Sequence, residues 1–362
     1  MEAEKETIQK PPQKNIVPGW LKKLGMFFVS LFLFILALYL LKEGARQLGP
    51  FVRNFLQVDS PVNTLGFGWV FAYAVMSGSP VATITLTLLD AGSLNPPEAF
   101  AMISGSRLGA SFIVLFIGLI YMLRGKGKKS SMTTGLLSLL VTQTTYIPGL
   151  FLGFFLLRTG IFDQWHAKTA FEVVSIFDLI FDPIIQFLLA WLPRWVLFAG
   201  GFLVLLGSFS LMDRALPQVN LEKGAFSGMA RVLYRPIVTF LLGAAVTMVT
   251  MSVSLSVSIL VPLSMRGYIR RENIIPYVMG ANITTFIDTL VAAILLGNPA
   301  AFTVVLLEML SITIISSVIF LLGYRGYERA ILKFEEFLLS RRAWLITYMI
   351  AIFIIPLILM FI

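Results

Sequence analysis

Seven apolar runs, each roughly 20 residues long, constrain the fold of this chain more than any other feature. An α-helix needs about 20 such residues to cross the hydrocarbon core of a bilayer. The runs cover residues 24 to 41, 99 to 123, 132 to 157, 195 to 212, 279 to 297, 300 to 322 and 343 to 362. Because 57% of the residues are apolar and only 13% are charged, we predict an all-α polytopic membrane protein with about seven full transmembrane spans.

A short serine-bearing segment occurs twice, once in each half of the chain. The first copy reads Met76-Ser77-Gly78-Ser79 and the second reads Met251-Ser252-Val253-Ser254. Sliding residues 76 to 111 onto 251 to 286 without a gap gives identities at the pairs 76/251, 77/252, 79/254, 84/259, 88/263, 92/267 and 105/280. A duplicated unit with Ser- and Gly-interrupted apolar segments at matching places is typical of the binding site of a secondary transporter.

Each copy lies between two apolar arms that are too short to cross a bilayer. The arms are residues 62 to 76 and 80 to 91 in the first copy, and 236 to 251 and 255 to 266 in the second. Two such arms joined at a Ser/Gly tip predict a re-entrant helical hairpin, at about 62–91 and again at about 236–266. Non-helical backbone at that depth is tolerated only where it is buried in protein or lines a wet cavity.

Charges at matching positions predict that the two repeats have opposite orientations. Residues 90 to 98, after the first hairpin, include two acids and no Lys or Arg, whereas their counterparts, residues 265 to 273, contain Arg266, Arg270 and Arg271. By the positive-inside rule these two loops lie on opposite faces of the membrane. We therefore expect two inverted-topology repeats in the cell membrane, with a cytoplasmic N-terminus and an external C-terminus.

We expect one domain built from two repeats. Its parts are a cytoplasmic segment (1–23), repeat 1 (24–157), a connecting segment (158–194), repeat 2 (195–322) and a basic loop with a last span (323–362). Residues 171 to 192 are apolar enough to span, but a crossing there would make the repeats parallel. Pro183, Asp178 and Asp182 indicate a broken or interfacial helix instead. The first run lacks a small-residue cleavage site, so we expect a retained span rather than a signal peptide.

If the repeats are inverted, the two serine tips enter from opposite sides and meet near the midplane. Half-helices that end there present free N–H groups to an anion, while tip hydroxyls and unwound carbonyls suit Na⁺. The candidate hydroxyls are those of Ser77, Ser79, Thr83, Ser252, Ser254, Ser256 and Ser258. The alternative for each of them is a bond back to its own helix or a contact between helices.

Charged residues in apolar segments form a second group of candidates. Arg107 needs an anionic partner, either a substrate or a carboxylate such as Asp90 or Asp288. Asp288 and Glu308 lie within apolar spans, where an acid is by default a cation or proton site. The chain offers no nucleophile with an oriented base and no phosphate-cradling loop, so we do not expect an enzyme.

Composition argues against several other kinds of site. The chain has no cysteine, which excludes disulfides and thiolate metal sites, and its single histidine, His166, makes a histidine-based zinc site unexpected. The net charge of +9 comes from Lys and Arg at span ends, a pattern typical of membrane topology rather than nucleic-acid binding. We expect no cofactor and no metal beyond Na⁺.

The duplicated hairpin, its serine tip and the downstream Gly-Ala-Asn-Ile motif resemble the type II sodium/phosphate cotransporter family, over residues 25 to 122 and 195 to 322. In that family each repeat carries a QSSS and a GANIGTT motif, and the facing QSSS hairpins are implicated in sodium and phosphate binding. By position, QSSS falls on residues 76–79 and 251–254. GANIGTT falls on Gly280, Ala281, Asn282, Ile283, Thr284 and Thr285, and less well on residues 105–110. Methionine replaces both glutamines, which we expect to remove polar atoms from the site.

The residues and the resemblance together predict a secondary active transporter of a small inorganic or organic anion, phosphate first, with Na⁺ as the coupling ion. The predicted substrate-binding residues are Ser77, Gly78, Ser79, Ser252, Ser254 and Arg107. The predicted ion-binding residues are Thr83, Ser258, Asn282, Thr284, Thr285 and Asp288. The lipid bilayer is the other expected partner, and a homodimer is compatible with the sequence. The alternative is a non-transporting membrane scaffold or regulatory protein that kept the fold and lost the phosphate site.

Overall fold

The computed structural model describes residues 19–49, 60–123, 129–161, 170–215, 235–258, 260–265 and 269–362. The polar head before residue 19, most of the basic stretch 124–129, His166, Arg266 and Gly267 lie outside these ranges. The regular elements within the ranges are all α-helices. In chain order they are α1 (Gly19–Ala45), α2 (Pro61–Val75), α3 (Ser79–Asp90), α4 (Pro96–Ala110), α5 (Phe112–Leu123), α6 (Lys129–Thr159), α7 (Ala170–Trp191), α8 (Arg194–Ala215), α9 (Pro236–Thr250), α10 (Val253–Ser258), α11 (Leu260–Met265), α12 (Arg271–Thr284), α13 (Phe286–Leu296), α14 (Pro299–Ser340) and α15 (Arg342–Leu359).

Seven stretches of the described chain are long and apolar enough to cross a membrane. They are Leu21–Ala45, Pro96–Gly118, Met132–Thr159, Arg194–Ala215, Arg271–Leu296, Pro299–Ser340 and Arg342–Leu359. Each stretch overlaps one apolar run of the sequence, and Pro299–Ser340 continues beyond its run, past a kink at Gly323. The prediction of an all-α, multi-pass membrane protein with about seven spans is therefore confirmed.

The helix boundaries repeat at the same interval as the serine motif. In the alignment that places Met76 on Met251, helix α9 begins and ends at the positions where α2 begins and ends, and α12 begins where α4 begins. Helix α3 corresponds to the consecutive short helices α10 and α11. The similarity between the two copies thus extends from the serine tip to a unit of three elements: a first arm, a second arm and the helix that follows.

The first arm of each unit ends at a methionine in the left-handed conformation. Met76 has φ 56° and ψ 30°, and Met251 has φ 48° and ψ 23°. Within the described ranges these are the only non-glycine residues with positive φ. The left-handed conformation costs a residue with a side chain roughly 1–2 kcal/mol. Both tips therefore hold a strained turn at the same place, which ends the first arm just before the serines.

Prolines and polar caps determine where the helices of the first unit begin. Ser60 accepts a hydrogen bond from the Asn63 N–H at 3.0 Å, and Pro61 opens α2. Before α4, the Asn95 side chain accepts from the Glu98 N–H at 2.9 Å, and the Glu98 carboxylate accepts from the Asn95 N–H at 2.8 Å. This capping box satisfies two N–H groups that the helix itself leaves unpaired. The loop between α3 and α4 is therefore closely specified by local sequence.

Two glycines in each unit let the first arm lie backbone to backbone on the helix after the second arm. A Cβ atom at any of them would overlap a carbonyl oxygen of the facing helix. The overlapping pairs are Gly68 with Met102 and Gly105 with Leu65 in the first unit, and Gly243 with Tyr277 and Gly280 with Phe240 in the second. Both pairs of the second unit fall on the positions that the alignment of the serine motifs assigns to the pairs of the first. The two units consequently pack their helices in the same way, with small residues at the crossing, as is common in membranes.

The remaining helices surround the two units. Helices α1 and α8 pack against each other, and α15 packs on α2, where the Tyr73 hydroxyl donates to the carbonyl of Ile352 at 2.8 Å. Helix α7 is continuous through Pro183, so the predicted break is absent there, and an interfacial position of α7 stays a prediction. Helix α7 packs on α1, where the Tyr39 hydroxyl donates to Asp178 at 2.6 Å.

Candidate functional site

The two serine tips border one small polar cavity. Its lining residues are Ser77, Gly78, Ser79, Arg107, Ala110, Ser111, Thr142, Ser252, Val253, Asn282 and Thr285. The space open to the centre of a water molecule is about 20 Å³, which is room for about one water. The structure therefore brings together seven of the residues that the sequence singled out, from both halves of the chain.

Most of the lining falls into pairs that occupy the same position in the two units. The pairs are Ser77 with Ser252, Gly78 with Val253, Arg107 with Asn282, and Ala110 with Thr285. The cavity thus lies where corresponding parts of the two units face each other. Because Arg107 is matched by a neutral amide, the positive charge comes from the first unit alone.

Arg107 is nearly fully buried, with 5% of its surface exposed. Its Nη1 donates to Ser79 Oγ and to Thr285 Oγ1, both at 3.3 Å. Its guanidinium carbon lies 5.0 Å from the centroid of the Phe286 ring, in the range of a cation–π contact. The guanidinium therefore connects the first serine tip with the end of α12 in the second unit.

Asp288 is the carboxylate that accompanies Arg107. Its Oδ1 lies 3.5 Å from Arg107 Nη2, and it is only 3% exposed. Arg107 Nη2 also donates to the hydroxyl of Thr289, which in turn donates to Asp288 Oδ1 at 2.9 Å. The sequence had left Asp90 as the other possible partner, but Asp90 pairs with Lys42 at 3.1 Å. Asp288 in α13 thus balances the buried charge of Arg107 in α4.

Asn282 contributes an amide to the cavity and is fixed by α6. Its Nδ2 donates to Thr142 Oγ1 at 3.2 Å, and its backbone carbonyl accepts from the Tyr146 hydroxyl at 2.9 Å. Sequence reasoning missed Thr142, because it belongs to no duplicated motif. The signal that could have found it is the polar stretch 142–145 in the middle of an apolar run.

Glu308 is buried beside the site without lining the cavity. It is 1% exposed, and its carboxylate accepts a hydrogen bond from Ser104 in α4. None of the ion pairs among the described residues includes it. Glu308 therefore joins α14 to α4 and lies outside the hydrogen-bond network of Arg107.

Three of the predicted hydroxyl groups bond within or between helices rather than line the cavity. The Thr83 hydroxyl bonds back to the carbonyl of Ser79 at 2.9 Å, and the Thr284 hydroxyl bonds to the carbonyl of Ala244 in α9 at 2.9 Å. The Ser256 hydroxyl accepts from the hydroxyl of Thr247 in α9 at 2.7 Å. These are the helix-directed alternatives that the sequence analysis left open.

Two further predicted serines belong to α10 and are also absent from the described lining. The buried Ser258 hydroxyl has no hydrogen-bond partner among the described residues. The Ser254 side chain lies outside the described part of the structure, although its backbone belongs to α10. The second tip therefore contributes Ser252 to the described lining, together with Val253.

The two methionines that replace the glutamines are absent from the described lining of the cavity. Met76 is 38% exposed, and Met251 is partly buried. Each serves as the left-handed cap that ends a first arm. The expectation that these replacements remove polar atoms from the site stays a prediction; in this structure hydroxyls, the Asn282 amide and the Arg107 guanidinium supply the polar lining.

The cavity combines chemical groups that suit a small oxyanion. A guanidinium provides a fixed positive charge and several N–H donors, and the N-terminus of α3 begins at Ser79 with backbone N–H groups that have no partner within the helix. Hydroxyl and amide groups from both units can donate to or accept from a ligand. The site is thus a buried polar pocket whose cationic group, Arg107, is paired with Asp288.

The fold and the cavity define a class of protein: a multi-pass helical membrane protein with a buried polar site between two similar units. No family model, curated protein or solved structure matches the chain.

Proposed function

We propose that this protein is a secondary active transporter of a small anion, driven by Na⁺, with phosphate as the first anion to test. The observation that carries the proposal is the convergence of two serine tips, one from each half of the chain, on a cavity that contains Arg107. An arginine within the membrane core is costly unless it has a function or a partner, and here its partner is only loosely bonded. Hydroxyls and a helix N-terminus beside it complete an anion site.

Transport requires that this site open alternately to the two sides of the membrane. The cavity has room for about one water, so it is too small for phosphate in this conformation, and substrate entry needs the units to move apart. In the proposed arrangement the units are inverted-topology repeats and the arms α2–α3 and α9–α11 are re-entrant hairpins. Their equal helix boundaries and glycine crossings support two structurally similar units, and the arginines at positions 270 and 271, where the equivalent loop has none, support opposite orientations. Movement of one unit against the other would then give alternating access.

The test is uptake of labelled phosphate into proteoliposomes with and without an inward Na⁺ gradient. We expect Na⁺-driven uptake by the wild-type protein, and similar uptake by a Met76→Gln, Met251→Gln double variant, because neither methionine is in the described lining. Protein-free liposomes give the background. Absence of uptake in the wild type with a gain in the double variant would show that the site takes a different solute and would overturn phosphate as the substrate.

The second candidate is a non-transporting membrane scaffold or regulatory protein, which the small volume of the cavity favours. The two candidates differ in ligand binding. A ligand that binds the folded state raises the apparent melting temperature by mass action. We expect phosphate with Na⁺ to raise the melting temperature of the purified protein; absence of both a shift and uptake would favour the scaffold.

A further inference from the structure

The ion pair between Arg107 and Asp288 is incompletely bonded on both sides. Their closest atoms, Nη2 and Oδ1, are 3.5 Å apart, whereas charge-assisted hydrogen bonds are usually about 2.7–2.9 Å long. Arg107 Nε and Asp288 Oδ2 have no hydrogen-bond partner among the described residues. Both side chains are almost entirely buried, at 5% and 3% exposure. Each ion therefore has unused bonding capacity in a place where water cannot readily supply the missing bond.

The oxygens around Asp288 lie on one face of α13 and its N-terminal cap. Thr285 and Thr289 are four residues apart, so their side chains lie on the same side of the helix. Asp288 Oδ1 accepts from the Thr289 N–H at 2.6 Å and from its hydroxyl at 2.9 Å, whereas Oδ2 has no hydrogen-bond partner among the described residues. One carboxylate with two hydroxyl oxygens is a donor set that suits a hard cation. At present these oxygens are directed to the guanidinium of Arg107.

The guanidinium also reaches the anion side of the site. Arg107 Nη1 contacts Ser79, which is the first residue of α3, while Nη2 faces Asp288. An anion bound at the serine tips would compete with Asp288 for the same guanidinium. Resting on the proposed function, we propose that Asp288 is the counter-ion of Arg107 when no anion is bound, and becomes the Na⁺ site when the anion draws Arg107 towards the tips.

Charge balance explains why the two ligands would bind together. The Arg107–Asp288 pair is neutral, whereas binding an anion alone would leave a negative charge in excess in a buried place, which is unfavourable. A Na⁺ ion at Asp288 restores one positive charge. By linkage, each ligand then raises the affinity of the other by the same factor. The exchange of a protein ion pair for two ligand pairs is thus a coupling device located between the two units.

The test uses Na⁺ without the transported anion. The wild-type protein, Arg107→Gln and the matched double variant Arg107→Gln, Asp288→Asn are purified in detergent. The melting temperature is measured against sodium gluconate, with N-methylglucamine gluconate keeping the ionic strength constant. Because Arg107→Gln removes the counter-ion of Asp288, we expect its apparent Na⁺ affinity to exceed that of the wild type by about tenfold or more. The double variant has no carboxylate at position 288 and should lose this gain.

An Arg107→Gln variant whose Na⁺ response equals that of the double variant would overturn the inference. This holds even if the wild type transports phosphate with Na⁺, so the inference can fail while the proposed function stands. Conversely, a gain in Arg107→Gln without any phosphate response in the wild type would support the Na⁺ site and count against phosphate as the substrate.

A second variant keeps the proposal testable if Arg107→Gln does not fold. Asp288→Asn leaves Arg107 without its competing carboxylate. We expect phosphate to bind this variant about tenfold or more tightly than it binds the wild type in Na⁺-free buffer, and Na⁺ to have no further effect on that affinity. Unchanged phosphate affinity in Na⁺-free buffer, or a Na⁺ dependence like that of the wild type, would overturn the proposal.

Discussion

Among single residues, hydroxyl groups that lie close together in the chain have different hydrogen-bond partners. Ser79 accepts from Arg107 at 3.3 Å, whereas Thr83, one turn later in α3, bonds back to the Ser79 carbonyl at 2.9 Å. In the second unit, Thr285 accepts from Arg107 and its neighbour Thr284 bonds to the carbonyl of Ala244. In each pair, one hydroxyl bonds to Arg107 at the cavity, and the other bonds to a backbone carbonyl of a helix.

This difference predicts distinct effects of Ser79→Ala and Thr83→Val. Ser79 is an acceptor for a buried guanidinium, and hydrogen bonds to charged groups contribute about 1.5–3 kcal/mol. We expect Ser79→Ala to raise the half-saturating phosphate concentration for Na⁺-driven uptake by about tenfold or more. Thr83→Val removes only a bond to the helix backbone, so its uptake should remain close to that of the wild type. Equal uptake curves for the two variants would remove Ser79 from the site.

At the level of helices, the glycine crossings set the distance between the first arm of each unit and the helix that carries Arg107 or Asn282. Gly105 and Gly280 each lie shortly before the cavity residue of their helix. At both glycines an added Cβ would overlap a backbone carbonyl of the first arm, which cannot rotate away as a side chain could. A small displacement of α4 or α12 would therefore move a cavity residue relative to the serine tips.

Gly105→Ala and Gly280→Ala should each destabilise the protein, with Gly207→Ala as the control. Overpacking at a close contact costs about 1–3 kcal/mol, so we expect a clear fall in the melting temperature in detergent. Gly207 lies in α8, where an added Cβ would have no neighbour within 4 Å. There alanine should be neutral or stabilise by roughly 0.5–1 kcal/mol, since it is a better helix former than glycine. A melting temperature for Gly105→Ala equal to that of Gly207→Ala would contradict the close crossing.

Helix positions could be predicted from the sequence because they depend on local signals. The apolar runs indicate the spans, and the interruptions at Met76 and Met251 indicate where the first arms end. The partners of individual side chains depend on three-dimensional packing instead. Nothing in the sequence distinguishes Asp90 from Asp288 as the partner of Arg107, or places Thr142 beside Asn282. Likewise, the sequence indicates that residues of the duplicated motifs line the cavity. It does not indicate which hydroxyls face the cavity and which bond to a helix backbone.

For the molecule as a whole, the transport mechanism depends on whether the two units have opposite or equal orientations in the membrane. The cavity pairs Ser77 with Ser252 and Arg107 with Asn282, as expected if two similar units face each other across it. Inverted units would expose their hairpins to opposite sides, which alternating access requires. Parallel units would expose both hairpins to the same side. The two arrangements differ in the position of α7. If α7 crosses the membrane fully, the units are parallel; if it does not, they are inverted.

Cysteine labelling can distinguish the two arrangements because the natural chain contains no cysteine. Asn95 and Arg270 are exposed, precede α4 and α12, and occupy equivalent positions in the two units. With inverted repeats and a cytoplasmic N-terminus, a membrane-impermeant maleimide should label Asn95→Cys on intact cells. It should label Arg270→Cys only after the membrane is permeabilised. The unsubstituted chain controls for background, and a variant with a cysteine after Ile362 should be labelled from outside.

Labelling of both substituted positions from the same side would show parallel repeats and a full crossing by α7. The two hairpins would then share one face of the membrane, and their tips could not approach the cavity from opposite sides. Alternating access by movement of one repeat against the other would lose its structural basis, whatever the affinity of the cavity for anions. The transport proposal therefore depends most directly on the side of the membrane that Arg270 faces. The positive-inside rule places its arginine-rich loop in the cytoplasm.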